Sequence, residues 1–169
     1  MHDKYSIDRY RNLLQYFRDV QVLTPDSPRY VVEKTRNLAE FLVYGQKYDE
    51  STYFEEFIEE DVLKGHLSRF LAFKNRLISI QVIQTVSILV QNIEDKAHLF
   101  YLLGNPFLSQ LISFDFAFAQ DDELTDYFVN FLKALVLRLD NTTINFFFDN
   151  RLKTFPLFET ALTLYNSKE

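Results

Sequence analysis

Residues 77–93 read LISIQVIQTVSILVQNI, a stretch of 17 positions without a charged residue, glycine or proline. Part of it alternates as a strand would, but its apolar residues also form a helical stripe. That stripe consists of Val82, Ile83, Val86, Leu89, Val90 and Ile93. Because strands rarely exceed about 10 residues, the length favours a helix. We expect this helix to be buried on most sides, since it offers no charged face to water.

Two other long apolar stripes lie on either side of this helix in the sequence. One is centred near Leu38 and the other near Leu132, and the stripe between them is centred near Val86. The first two centres are 48 residues apart and the last two are 46 residues apart. Armadillo and HEAT repeats are about 40 to 47 residues long, and three units are the minimum for a continuous core. The sequence therefore predicts a single all-α domain, 1–169, built as an armadillo/HEAT-like helical stack of about three repeat units. The alternative is an irregular helical bundle with accidental spacing.

Polar residues and glycines predict where helices begin and end. We expect Ser27 to cap the first long helix and Gly45 to terminate it. Asp121 or Asp122 should cap the third long helix, and Thr142 should cap a short turn after it. Shorter helices are expected at 7–20, 53–60, 61–73, 97–103, 106–112 and 142–148, and a last helix at 155–165.

The composition excludes most kinds of catalytic site. Phosphate-binding loops need clustered glycines, yet Gly45, Gly65 and Gly104 lie far apart. The chain has no cysteine, which excludes a disulfide framework, a thiolate zinc site, a RING finger and a thiol nucleophile. Its three histidines share no metal-binding spacing. We therefore expect no enzymatic activity, no cofactor and no metal.

Charge and hydropathy indicate the compartment. Eighteen Lys and Arg against 24 Asp and Glu give a net charge of −6, and no basic run exists for nucleic acid. The N-terminus lacks the apolar core of a signal peptide. The stretch at 77–93 is too polar and slightly too short for a membrane span. We expect a cytosolic protein.

An acidic segment follows the first long helix. Between 49 and 61 the chain carries seven carboxylates and no Lys or Arg. These are Asp49, Glu50, Glu55, Glu56, Glu59, Glu60 and Asp61. Carboxylates at i and i+4 repel each other on a helix. Three interpretations stay open: a docking surface for a basic partner, centred on Glu55, Glu56 and Glu59, a weak divalent-metal site, or a solvated acidic face.

An aromatic connector at 114–118 is a second candidate partner surface, because an excess of aromatic side chains marks interfaces. Its candidate residues are Phe114, Asp115 and Phe116. The tripeptide Asn105-Pro106-Phe107 matches a peptide motif read by endocytic adaptors, but a proline that restarts a helix explains it equally well.

The order of these segments resembles the FPL domain, the N-terminal domain of the Ema-like family of endosomal maturation and autophagy proteins. The namesake tripeptide stands here as Phe155-Pro156-Leu157, followed by Phe158 and Ala161. Further pieces follow in family order: Tyr44-Gly45, the glutamine-bracketed segment 81–89, Tyr101-Leu102-Leu103, Phe114-Asp115-Phe116, Phe131-Leu132-Lys133 with 135–139, and Phe146-Phe147-Phe148. The match spans roughly 12–165.

The chain also departs from the family pattern. Gly104 stands where the family usually has Ser, Asn105-Pro106-Phe107 is not a family feature, and Glu159-Thr160 is in reversed order. The family's long C-terminal region has no counterpart after Glu169, so we expect either a fragment or an unusually short relative.

The resemblance implies a non-enzymatic cytosolic helical scaffold in endosome maturation, lysosomal delivery and autophagy, including mitophagy. It implies protein partners, namely a Rab-type GTPase or trafficking and ubiquitin-ligase components, and membrane association only through them. The expected location is the cytosolic face of endosomes, lysosomes or the Golgi. Phe155 and Leu157 join the candidate partner-binding residues. The alternative function is a self-association module that fixes the geometry of a larger assembly, and the oligomeric state stays open.

Overall fold

The computed structural model describes residues 2–116 and 121–166, and this part of the chain is all-α, as predicted. The α-helices are α1 (Ile7–Asp19), α2 (Ser27–Lys47), α3 (Thr52–Glu59), α4 (Ser68–Ala72), α5 (Arg76–Asn92), α6 (Lys96–Gly104), α7 (Pro106–Ile112), α8 (Asp122–Leu137) and α9 (Pro156–Asn166). A π-helix, Val62–Leu67, leads directly into α4, and 3₁₀ turns lie at His2–Tyr5 and Ile144–Phe147. The armadillo/HEAT assignment and the single-domain boundary stay predictions.

The uncharged stretch forms α5 and lies at the centre of the fold. Between 78 and 90, all side chains are buried except Gln84 and Ile88, which are partly buried. Both α2 and α8 pack along α5, and these are the two most extensive helix pairs among the described residues. The helix predicted for this stretch, and its burial on most sides, are confirmed.

Helices α2 and α5 run parallel at a constant sequence offset. Near their middles, the Thr85 hydroxyl donates to the Thr35 carbonyl oxygen over 3.0 Å. Where they end, the Gln46 side-chain oxygen accepts from the backbone N–H groups of Glu94 and Asp95, each over 3.2 Å. These partners are separated by 50, 48 and 49 positions, so the two helices start and finish together.

Helices α5 and α8 repeat this arrangement. At their starts, Arg76 donates to the carboxylates of Asp121 over 2.6 Å and Glu123 over 2.8 Å. At their ends, the Arg138 guanidinium donates to the Ile93 carbonyl oxygen over 2.8 Å. The Arg76–Asp121 and Arg138–Ile93 pairs are both separated by 45 positions. Parallel long helices at nearly constant offsets are what stacked repeats require.

The interface between α2 and α5 contains a short polar seam. Gln81 is buried and donates its amide N–H to the Thr85 hydroxyl over 3.1 Å. The Thr35 hydroxyl is also buried, but it has no hydrogen-bond partner among the described residues. The Thr85 hydroxyl therefore links the two helices, whereas the Thr35 hydroxyl lacks a hydrogen-bond partner among the described residues.

The same substitution should have opposite effects at these two threonines. Thr35→Val removes an unpaired buried hydroxyl at nearly constant volume, so we expect the free energy of unfolding to rise by about 1 kcal/mol. Thr85→Val leaves the Gln81 amide without its acceptor, so we expect a fall of about 1–3 kcal/mol. Urea denaturation of both variants measures the difference. Shifts of the same sign would contradict the seam described above.

Two of the three predicted caps are wrong, and their neighbours explain why. Asp121 does cap α8, because its carboxylate accepts from the Leu124 N–H over 3.0 Å. Ser27 is instead the first residue of α2, and its hydroxyl bonds back to Thr24. After α8, the turn at Thr142 is held by the Asp140 carboxylate.

Asp140 accepts from the backbone N–H groups of Thr142 over 2.7 Å and Thr143 over 2.9 Å. The Thr142 hydroxyl also donates to this carboxylate over 2.7 Å. These bonds stabilise the ionised carboxylate and lower the pKa of Asp140 to about 2. The capping group of this turn is therefore the aspartate two residues before the threonine that the sequence suggested.

Gly45 does not terminate α2, because the helix continues to Lys47. A Cβ at Gly45 would lie 3.0 Å from the Glu50 carbonyl oxygen and 3.1 Å from the Cβ of Tyr53. The glycine therefore lets the start of α3 pack against the end of α2. The left-handed residue that turns the chain is Asp49, with φ of 53°.

An aromatic cluster joins α1, α2 and α3. Tyr10 is completely buried, and its ring centroid lies 5.3 Å from that of Phe41 and 5.2 Å from that of Tyr53. The Tyr10 hydroxyl donates to the Tyr53 carbonyl oxygen over 2.8 Å, and the Tyr53 hydroxyl donates to the Tyr5 carbonyl oxygen. Burial raises the pKa of Tyr10 well above its usual value.

The buried Tyr10 phenol should make the fold sensitive to alkali. Its pKa is raised on folding, so its contribution is complete below the unfolded pKa of about 10 and is lost as pH rises through the folded pKa. Tyr10→Phe should flatten the loss of stability above about pH 10. At pH 7 it should cost about 1 kcal/mol, because the hydrogen bond to Tyr53 is lost. Thermal melts across pH test this, with the exposed Tyr48→Phe as control. An alkaline limb unchanged by Tyr10→Phe would refute the assignment.

Candidate interaction surfaces

Helix α3 displays part of the acidic segment on its outer side. Its inner face buries Tyr53, Phe54 and Phe57, which leaves Glu55 and Glu59 exposed to solvent. Neither of these two carboxylates has an ion-pair partner among the described residues. The amphipathic pattern of a short helix therefore sets which charges face outward.

Cations from α1 pair with two other carboxylates of the acidic segment, Glu56 and Glu60. Arg11 binds Glu56 with two nitrogens, over 2.7 Å from Nη2 and 3.0 Å from Nε to Oε1. Arg18 lies 3.4 Å from Glu60. Together with Glu59 these residues line a surface cleft of about 440 Å³. Glu56 therefore has its partner within the fold, whereas Glu55 and Glu59 are available to another molecule.

A buried histidine connects the acidic segment to the end of α1. His66 Nε2 lies 2.9 Å from Glu60 Oε1, and Arg69 Nη2 lies 3.2 Å from His66 Nδ1. A guanidinium only donates, so Nδ1 accepts and Nε2 carries the proton donated to Glu60. Arg69 also donates to the carbonyl oxygens of Phe17 over 2.6 Å and Val20 over 2.9 Å. The network holds the last turn of α1 against the π-helix.

Within residues 2–116 and 121–166, no group of three or more His, Asp or Glu side chains is arranged to hold a metal ion. No helix in the described part of the chain is both long and apolar enough to span a membrane.

The aromatic connector lies partly in the core. The ring of Phe116 packs 4.6 Å from Phe114 and 5.6 Å from Phe128 of α8, and Phe116 is only 8% exposed. Phe114 is half-buried and Asp115 is exposed. Phe118, the third aromatic of the predicted connector, lies outside the described residues. Phe116 therefore contributes to packing, which corrects its expected place on a partner surface.

The Phe-Pro-Leu tripeptide begins α9. Pro156 is the first residue of the helix, where its missing N–H costs nothing. Leu157 is 1% exposed, so it is a core residue and not the surface residue that we expected. The ring of Phe155 is half-buried between Phe148, at 4.7 Å, and Phe158, at 5.5 Å.

The adaptor-like tripeptide is also a helix start. The Asn105 side chain accepts from the Phe107 N–H over 3.0 Å, and Pro106 is the first residue of α7. Phe107 is completely buried. An adaptor domain has no access to this side chain in the folded protein.

An apolar groove between α8 and α9 was missed by the sequence reasoning. Its volume is about 560 Å³. The lining residues are Val129, Leu132, Lys133, Val136, Leu137, Ala161, Leu164 and Tyr165. Leu137 is 84% exposed although it is a large apolar residue, and Val136 is 46% exposed. The sequence of α9 carried a signal for this groove, because its apolar residues lie on more than one side of the helix. Such a helix has a second apolar face besides the one that packs on the core.

Comparisons with known proteins agree on one family. The sequence profile of the FPL family, described as an uncharacterised conserved protein, matches residues 35–169. The human protein CLEC16A is 30% identical over 165 residues, which cover 98% of this chain and 16% of that protein. The CLEC16A homologue of Caenorhabditis elegans is 34% identical over 160 residues, 92% of this chain and 18% of its own length.

A plant relative extends this similarity. The Arabidopsis thaliana protein TRANSPARENT TESTA 9 is 31% identical over 159 residues, 92% of this chain and 19% of that protein. The chain thus spans less than a fifth of each of these relatives. No solved structure matches it.

Proposed function

Because the chain belongs to the FPL family, we propose that it is a non-enzymatic helical domain that binds proteins in endosome maturation, lysosomal delivery and autophagy, including mitophagy. The partners proposed are a Rab-type GTPase or components of trafficking and ubiquitin-ligase complexes. Membrane association would then come through these partners, at the cytosolic face of endosomes, lysosomes or the Golgi. What supports this role is the resemblance, which covers nearly the whole chain.

The observation that carries a binding role is the pair of unpartnered carboxylates on α3. Glu55 and Glu59 are one helical turn apart on an exposed face, next to the Arg11–Glu56 ion pair. Like charges at this spacing destabilise an isolated helix by a few tenths of a kcal/mol. A basic surface on a partner would relieve that repulsion and accelerate association. The proposal therefore places a cationic patch of the partner against α3.

Two carboxyls with lowered pKa values have structural roles in the fold. The pKa of Asp121 is lowered, first by the hydrogen bonds from Arg76 and then by the Leu124 N–H at the start of α8. The pKa of Asp140 is lowered to about 2 by the turn that it caps. Asp121 and Asp140 therefore serve as capping groups of the scaffold.

A second candidate function is self-association that fixes the geometry of a larger assembly. The exposed apolar groove between α8 and α9 is the observation that favours it.

Charge reversal on α3 tests the proposed partner surface. The purified chain is titrated against a panel of Rab GTPases, each loaded with GDP or a non-hydrolysable GTP analogue, and against candidate ligase components. Glu55→Lys with Glu59→Lys should weaken binding about tenfold at low salt and less at high salt. The matched control, Glu33→Lys with Glu94→Lys, changes the net charge by the same amount at exposed sites that are not part of α3.

The control should stay within about twofold of the unmodified chain. If the α3 variant binds every partner as tightly as the unmodified chain does, the acidic surface is not the docking site. If no candidate binds the unmodified chain at all, the proposed partner class is wrong.

A further inference from the structure

Helix α9 exposes an apolar stripe on the side that faces solvent. Phe158, Leu162 and Tyr165 stand at i, i+4 and i+7, which places them along one face of the helix. Their exposed fractions are 40%, 62% and 67%. The inner face of the same helix is occupied by Leu157 and Leu164, which are buried against the core. α9 is therefore apolar on two adjoining faces, and only the inner one is covered.

The stripe borders the groove between α8 and α9, so the surface contains a ridge beside a recess. Tyr165 belongs to both. The far wall of the recess carries Val136 and Leu137, which are 46% and 84% exposed. A continuous apolar patch of this kind on a soluble protein marks a contact surface.

The groove is lined by one charged residue and α9 carries one charged residue, and the two charges are opposite. Lys133 is the only ionisable cation that lines the groove, and Glu159 is the only charged residue of α9. Both side chains are exposed, and neither forms an ion pair with another described residue.

We propose that a second copy of this chain covers the groove. In this two-fold dimer, the α9 stripe of each subunit enters the α8–α9 groove of the other. Glu159 of each subunit then lies against Lys133 of the partner subunit. The pairing is reciprocal, as a two-fold interface requires, because residue i contacts residue j and j contacts i.

Self-complementarity is the reason to choose a second copy over a foreign helix. A helix from another protein would fill the recess and leave the ridge formed by Phe158 and Leu162 exposed. A two-fold partner covers both the recess and the ridge, and it places Lys133 of one subunit against Glu159 of the other. The inference deepens the second candidate function, self-association, and does not depend on the first, since α3 lies outside this surface.

Sedimentation velocity over a concentration series tests the dimer. The unmodified chain should shift from monomer to dimer as its concentration rises. Leu162→Glu places a charge at the centre of the interface and should weaken the dimer at least about thirtyfold. Leu77→Glu is the matched control, because Leu77 is 57% exposed at the start of α5, away from the groove. It should leave the dimer unchanged.

A charge swap tests the geometry. Lys133→Glu and Glu159→Lys should each weaken the dimer about tenfold, because each replaces an attraction with a repulsion. The double variant should return to within about twofold of the unmodified chain. Circular dichroism monitors the fold, and Leu162→Ser replaces Leu162→Glu if the latter loses helix content.

Three results would overturn the proposal: a monomer at every soluble concentration, a dimer that resists both Leu162 variants, or a double variant as weak as the single ones. A monomer that still binds a Rab-type GTPase through α3 would refute the dimer and leave the proposed function intact.

Discussion

The central part of α5 offers no charged face to water, and its burial between two other helices organises the protein. α5 is buried almost throughout, so α2 and α8 must both be long enough to lie along it. Its polar atoms must then be satisfied locally. Ser87 donates to the Ile83 carbonyl within the helix. Gln81 donates to the Thr85 hydroxyl, which in turn donates to the Thr35 carbonyl of α2. Charged contacts are confined to the ends, where Arg76 and Arg138 fix the register of α8.

Much of the fold could be predicted from the sequence, because the strongest signal in the sequence is the helical spacing of its apolar residues. The three long helices are found where their stripes predict them, and the centre spacings of 48 and 46 residues agree with contact offsets of 48–50 and 45. Helix ends were less predictable. Glycine is the residue type that most often ends a helix, but the lack of a Cβ at Gly45 lets Tyr53 pack against α2. That contact joins residues from different helices, and local propensity carries no information about it.

The candidate site was less predictable for the same reason. The acidic segment was evident, but Arg11, which neutralises Glu56, lies 45 positions earlier in the chain. Phe116 and Leu157 lie in segments that the sequence analysis expected to bind partners, but both are core residues in the structure. The groove between α8 and α9 could not be inferred from either helix alone, because it exists only where two apolar faces adjoin. Family membership, in contrast, followed from the order of short segments and needed no contact at all.

The central position of α5 also has a consequence for biosynthesis. Translation delivers α2 first, so one partner of α5 is already present when α5 leaves the ribosome. α8 begins 30 residues after α5 ends. During that interval the surface that α8 will cover is uncovered in the nascent chain, and such surfaces are prone to aggregation. The same absence of charge that fixes the folded core therefore leaves an apolar surface uncovered in the nascent chain until α8 has been made.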